Sequence, residues 1–309
     1  MSRAGWARLR LAGGVAVLAV LLWRLGSGPF LEGLWTVDAS ALVAGVLLAV
    51  PITVCCAWRW TLVARGLHVP LALPAAVAAY YRSMLLNTTL PGGVLGDVHR
   101  AVRHGRDAGH TGRGLRAVGW ERLAGQVVQI AAAAVVLLLL PSPVRLSLPL
   151  VAAVALVVGL VGWPVMSLAG GTRSGRAVHR DVRDGLLGSW PGVVAASLLA
   201  VVGHVATFLV AARTAGVTAP VAVLLPLALL VLVAMGIPAN VAGWGPREGV
   251  AAWVFEAAGL GAGAGVATAV VYGVMVLVAS LPGVVFLRAG RSRARPVEVE
   301  PVLEGASHG

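Results

Sequence analysis

Residues 80–100, YYRSMLLNTTLPGGVLGDVHR, begin as an apolar helical run and then break. Pro91 removes a backbone donor, Gly92 and Gly96 add backbone freedom, and the ionisable Asp97 and Arg100 follow at once. In water such a stretch is an ordinary loop. In hydrocarbon an unpaired backbone group costs several kcal/mol, so an interrupted segment persists only where protein or a watery cavity satisfies it. The surroundings of the break decide between the two readings.

Of the 309 residues, 59% are apolar and 12% charged, and the mean hydropathy is +0.90. An ordinary soluble domain carries about 25% charged residues, so a soluble globular fold is excluded. At roughly 20 residues per crossing the length allows about six to eight membrane segments, with nothing left over for a separate soluble catalytic domain. All 24 basic residues are Arg. Without Lys there is neither a Walker A lysine for nucleotide phosphates nor a Schiff-base lysine. The net charge of +12 resides in short loops between apolar runs, which fits positive-inside topology and not nucleic-acid binding. The two cysteines, Cys55 and Cys56, are adjacent inside an apolar run and read as small packing residues.

Apolar runs at about 9–25, 39–58, 119–140, 148–168, 190–212 and 266–288 have the length of spanning helices. Arg3, Arg8 and Arg10 place the N-terminus in the cytosol ahead of an uncleaved first helix, and two crossings return the chain at Arg59 and Arg65. A full crossing through 71–90 would put Arg100, Arg103, Arg106, Arg113 and Arg116 outside. A re-entrant segment over 71–98 keeps these five Arg in the cytosol. The same rule puts the C-terminus inside, which requires the second interrupted run, 219–262, to begin and end outside, either dipping in or crossing twice.

The expected fold is therefore an all-α polytopic membrane protein with about six full spans and two broken segments. One integral domain covers 1–288, with an Arg-rich, then acidic, disordered cytosolic tail over 289–309. Its halves, about 1–140 and 148–288, share one order of elements with every direction reversed, the pattern of an inverted-topology repeat. The breaks share spacing too: Pro91 to Val94 to Gly96 against Pro238 to Val241 to Gly243. In such repeats, paired interrupted segments mark a binding site at the midplane.

Asn87 and Asn240 are the only asparagines, one beside each break. Each either plugs freed backbone groups or touches substrate. Ionisable residues in a membrane are costly and by default mark a pathway or binding site, which singles out Arg82, Asp97, Arg100, Glu121, Arg122, Arg247 and Glu248. The competing account is structural pairing: Asp97 with Arg100 at i,i+3, and Glu121 or Glu248 with an Arg across the bundle. Glu256, eight residues after Glu248, lies on roughly the same helical face and either protonates or snorkels outward. His99, His104 and His110 lack ligand spacing, so neither a metal nor a cofactor is expected. The glycine-rich run 259–265 reads as a hinge between helices. Trp35, Trp58 and Trp60 near span ends read as an interfacial belt.

The segments YYRSMLLNTTLPGGVLGDVHR, WERLAGQ and IPANVAGWGPREG together resemble the membrane domain of the lysylphosphatidylglycerol synthase family, the flippase-like integral membrane proteins. The resemblance falls on Asn87, Pro91, Gly92, Gly96, Asp97, Arg100, Glu121, Arg122, Pro238, Gly243, Arg247 and Glu248, in order along nearly the whole chain. It implies a multi-pass protein of the bacterial plasma membrane that moves an anionic, aminoacylated or polyprenyl-phosphate-linked lipid between leaflets. The aminoacyl-transferase domain of bifunctional members is absent from this sequence, so synthase activity is not carried over. Expected partners are membrane lipids and a separately encoded lipid or sugar transferase. Two other readings fit the same residues: a membrane-embedded lipid-phosphate transferase using Asp97 or Glu248 as base, and a non-transporting partner of a separate synthase.

Overall fold

The computed structural model describes residues 3–90, 93–140, 183, 186–237 and 241–292. The run 148–168, the tail from 293 onward, and Pro91, Gly92, Pro238 and Asn240 lie outside the described residues.

The described elements are helical: α1 (Arg3–Leu25), α2 (Gly28–Trp35), α3 (Ala39–Gly66), α4 (Leu73–Thr89), α5 (Leu95–Asp107) and α6 (Thr111–Leu139). After a 3-10 turn come α7 (Trp190–Thr214), α8 (Val221–Met235), α9 (Pro246–Ala257), α10 (Ala262–Ser280) and α11 (Pro282–Ser292). Helices α3, α6, α7 and the continuous pair α10–α11 to Arg288 are long and apolar enough to cross a membrane. The expected runs 39–58, 119–140, 190–212 and 266–288 fall within them. The run 9–25 falls in α1, which bends by 97° into α2, and the two make a fifth candidate only when taken as one broken span.

Local chemistry sets the boundaries. Proline sits in the first turn of α2, α4, α7 and α9, where a missing N–H costs nothing. Asp38 caps α3, accepting from the Ala41 N–H at 2.8 Å and from the Ser40 hydroxyl, and these donors hold its carboxyl below the usual range. His68, Gly109, Gly216 and Gly259, all in the left-handed conformation, close α3, α5, α7 and α9. The glycine-rich run 259–265 is the connection from α9 into α10, as expected, with Gly259 and Gly261 at positive φ.

Both interrupted runs appear as two short helices around a break. In the first, α5 folds back along α4: a Cβ on Gly96 would run into Ser83, Arg100 lies over the Tyr80 ring, and His104 Nε2 is 3.0 Å from the Val69 carbonyl. The α4–α5 pair is therefore an antiparallel hairpin with its tip at the break. Helix α5 is also antiparallel to α6, through Gly105 against Thr111 and Arg100 against Glu121. In the second run, α8 has 15 residues and α9 has 12, each shorter than the roughly 20 needed to cross. Between them Val241 and Trp244 exchange both backbone hydrogen bonds, at 2.8 and 2.9 Å, around Ala242 and Gly243, both left-handed.

Helices α3 and α7 pack antiparallel, with Ile52 against Gly203 and Leu62 against Gly192. Two apolar clusters flank this pair. One is built on α7, α8, α9 and α10 around Phe208, Leu227 and Phe255, with Ala133 and Leu137 of α6, and the other on α3, α4, α5 and α6 around Trp60, Ala76 and Ala117, with Val193 of α7. Val43, Leu47, Val127, Leu138, Leu199 and Val202 face outward, as expected where the surrounding medium is hydrocarbon. Small residues make the closest helix contacts: Gly114 meets Gly105 and Ala101, and Gly265 meets Ala251.

Candidate functional site

The hairpin tip carries a buried charge network. Asn87, near the end of α4, accepts the Gly96 N–H of α5 at 2.8 Å and donates to Asp97 at 3.2 Å. Of its two expected roles, the plug for freed backbone groups is the one the geometry displays. Asp97 also accepts from Ser83 at 2.9 Å, Arg100 Nε at 3.0 Å and Arg122 Nη2 at 2.7 Å. Arg100 then reaches the second carboxylate, Glu121, whose Oε2 accepts its Nη2 at 2.7 Å. The other oxygen of Glu121 accepts Tyr80 at 2.6 Å and Arg59 Nε at 2.9 Å. The Arg100 guanidinium is packed over Tyr80 and Trp60, 4.1 and 4.7 Å from the ring centroids.

The pairing expected of Asp97 with Arg100 is thus present, and Glu121 pairs across the bundle. Its partner Arg59 carries a correction: read as a loop residue that sets topology, it is buried inside α3, where it also donates to Ser197 of α7 at 3.1 Å. A Cβ on Gly125 would strike its guanidinium, so that glycine makes the room Arg59 occupies. Trp60 carries a second correction, since it is fully buried against Arg100 and not interfacial, whereas Trp35 is exposed. Arg82 stands apart from the network: its charged neighbours are Arg103 and Asp107 of α5.

Three arginines, Arg59, Arg100 and Arg122, face two carboxylates, Asp97 and Glu121. With all five ionised, these described residues carry an excess of one positive charge. Arg59, Arg100 and both carboxylates are buried or nearly so, but half of the Arg122 side chain is exposed. The excess charge therefore has one accessible outlet.

The second break holds a smaller pair. Glu248 is fully buried, accepts the Gly245 N–H at 2.7 Å and binds Arg247 Nε at 2.7 Å. Arg247 lies 5.1 Å from the Trp244 ring and 5.7 Å from the Tyr272 ring, over Gly273, where a Cβ would displace it. The Tyr272 hydroxyl is 2.9 Å from His204 Nδ1 of α7. Glu256 does not join Glu248: it is exposed and accepts the Ala262 N–H at 2.7 Å, tying α9 to α10.

The two breaks adjoin. Thr88, at the end of α4, is in contact range of Gly243, and the Gln126 amide of α6 fills the space a side chain on Gly236 would need. Sequence reading therefore found the acidic and basic residues at each break but missed Arg59, Tyr80, Ser83, Gln126, Ser197, His204 and Tyr272. Only Arg59 had a signal: a carboxylate at Glu121 inside an apolar helix demands more than one cation.

Among the described residues no group of His, Cys, Asp and Glu has the arrangement of a metal site. No curated protein and no solved structure matches the chain. The broken segments, their charge clusters and the long apolar helices around them all lie within one match to a family model, over residues 8–283. The chain therefore belongs to the family of the lysylphosphatidylglycerol synthase TM region and is an integral membrane protein.

Proposed function

We propose that the protein is a lipid translocase, moving a lipid with an anionic headgroup between leaflets through the region where the two breaks meet. The carrying observation is the excess positive charge of the Arg59–Arg100–Arg122 cluster, buried among apolar helices and accessible at Arg122. A surplus positive charge among apolar helices is costly unless an anion completes it. Charge-assisted hydrogen bonds from guanidinium to phosphate would supply that completion. Asp97 and Glu248 are occupied by arginine and backbone donors, so they serve as anchors for the arginines and are poorly placed as bases for a transferase. That favours transport over the enzyme reading. Its proposed setting is the bacterial plasma membrane with both termini in the cytosol.

Alternating access in such a protein would come from an inverted repeat relating α3, α4, α5 and α6 to α7, α8, α9 and α10. Several correspondences support it. Helices α3 and α7 end in the same turn, where Val69 and Val217 bond back to Ala64 and Ala212. Helices α5 and α9 also end alike, with His110 bonded to Gly105 and Leu260 to Phe255. Gly114 of α6 rests on Ala101 and Gly105, while Gly265 of α10 rests on Ala251 and Phe255. Counting on from those glycines makes Glu121 and Tyr272 counterparts. Each is where its half converges: Arg59 and Arg100 on Glu121, His204 and Arg247 on Tyr272. The α4–α5 hairpin and the short α8–α9 pair would then be re-entrant from opposite sides.

The test is leaflet exchange of labelled lipids in liposomes containing the purified protein, with Asp97→Asn and Arg247→Ala beside wild type. Exchange faster than in empty liposomes, and lost in both variants, supports transport. Wild-type exchange no faster than in empty liposomes, across anionic, aminoacylated and polyprenyl lipids, overturns it.

A further inference from the structure

We infer that Gln126, with Arg122, forms the seat that holds a phosphodiester oxygen of the lipid headgroup between the two breaks. The inference rests on the translocase reading for its ligand, but on separate residues for its geometry. Gln126 and Arg122 are one turn apart on α6, at i,i+4, so their side chains rise on one face. Arg122 leans toward the first break, where it binds Asp97, and Gln126 leans toward the second, where it packs on Gly236. The face between them therefore looks into the place where the breaks adjoin.

Gln126 Nε2 is buried and has no hydrogen-bond partner. A buried amide without a partner is destabilising, and a native chain retains one mainly where something else completes it. Here the missing partner has to be an acceptor, because Nε2 only donates. The neighbouring half-exposed Arg122 belongs to a cluster with one surplus positive charge, so the acceptor best suited to the spot is negative. A phosphodiester offers both a negative charge and two oxygens, one for the guanidinium and one for the amide. The glycine at position 236 belongs to the same design, since a Cβ there would collide with the Gln126 side chain.

A purely structural role would make Gln126 a packing residue on Gly236, and the two roles differ in headgroup binding, which a packing role leaves unchanged in Gln126→Met. Methionine keeps the length and removes the unpaired donor. The seat predicts a Tm without lipid that is unchanged or raised, together with about ten-fold weaker binding of an anionic headgroup. The experiment follows the Tm of the full-length protein in detergent while it is titrated with dioleoylphosphatidylglycerol, dioleoylphosphatidylcholine or inorganic phosphate, in wild type and Gln126→Met. Wild type should be stabilised by phosphatidylglycerol above phosphatidylcholine, and the variant should lose most of that preference. An unchanged preference in Gln126→Met overturns the seat, as does a wild type with no preference. Stabilisation by inorganic phosphate and not by phosphatidylglycerol overturns the lipid headgroup as occupant. Leaflet exchange on the same proteins separates the two ideas. A headgroup preference that depends on Gln126, without wild-type exchange, refutes transport and leaves the seat standing. Exchange that ignores Gln126 does the reverse.

Discussion

Asn87 reaches across the first break to Gly96, its side-chain carbonyl accepting the Gly96 N–H at 2.8 Å while its amide donates to Asp97. One side chain thus replaces a helix bond lost at the interruption and orients the carboxylate that binds Arg100 and Arg122. Asn87→Ala should cost about 0.5 to 2 kcal/mol, the range for removing a helix cap, seen as a lower Tm in detergent. Asn87→Asp keeps the acceptor but sets a second negative charge beside Asp97, so it should not restore the loss. A wild-type Tm in either variant would show that the bridge contributes nothing.

Glu121 is the carboxylate on which Arg59, Arg100 and Tyr80 converge. Glu121→Gln leaves two buried guanidinium groups short of their counter-charge, and about 3 to 5 kcal/mol should be lost. Arg59→Gln in the same chain removes one of the stranded charges, so the double variant should be less destabilised than the two single losses added together. Strict additivity in thermal or chemical denaturation would contradict the buried pair.

Gly114 and Gly265 are the points where α6 meets α5 and α10 meets α9. A valine at either has no room, because the first atom added would strike Gly105 in one case and the Ala251 backbone in the other. Overpacking of this kind costs about 1 to 3 kcal/mol. Gly114→Val and Gly265→Val should therefore lower the Tm comparably, whereas Gly112→Val, at a glycine with only the Arg116 side chain near it, should change it little.

The breaks and their charges were legible because Pro, Gly and Asn inside apolar runs have few explanations in hydrocarbon. The fold-back expected of the first broken segment has its counterpart in the antiparallel packing of α4 and α5, whereas the side it opens to was read from the Arg loops alone. What escaped the sequence was the identity of the partners in contacts made across the bundle. Arg59 looked like a topology marker since it stands near the end of its apolar run, and only burial against Gly125 and Glu121 reveals its other role. Trp60 was read by its place along the span, although the Arg100 guanidinium beside it decides its environment. Tyr272 and His204 carry no local signature at all, because aromatic residues in apolar helices are ordinary core. Periodicity and charge report what one helix must avoid, whereas these four residues are defined by a neighbour far away in the chain.

Thr88 of α4 and Ser280 of α10 face each other with their hydroxyl oxygens 3.5 Å apart. They belong to different halves of the proposed repeat, so alternating access requires this contact to open. Thr88→Cys with Ser280→Cys, in a chain whose free Cys55 and Cys56 are changed to Ser, should form a disulfide under mild oxidation, since side chains this close approach the geometry a disulfide needs. Mass spectrometry of the digested protein reports the cross-link. Oxidised protein in liposomes should lose lipid exchange, and a reductant should restore it. Each single-cysteine variant should exchange normally under both conditions. Undiminished exchange in fully cross-linked protein would mean that the halves do not part at this contact, and lipid would then have to pass along a route that leaves α4 and α10 together.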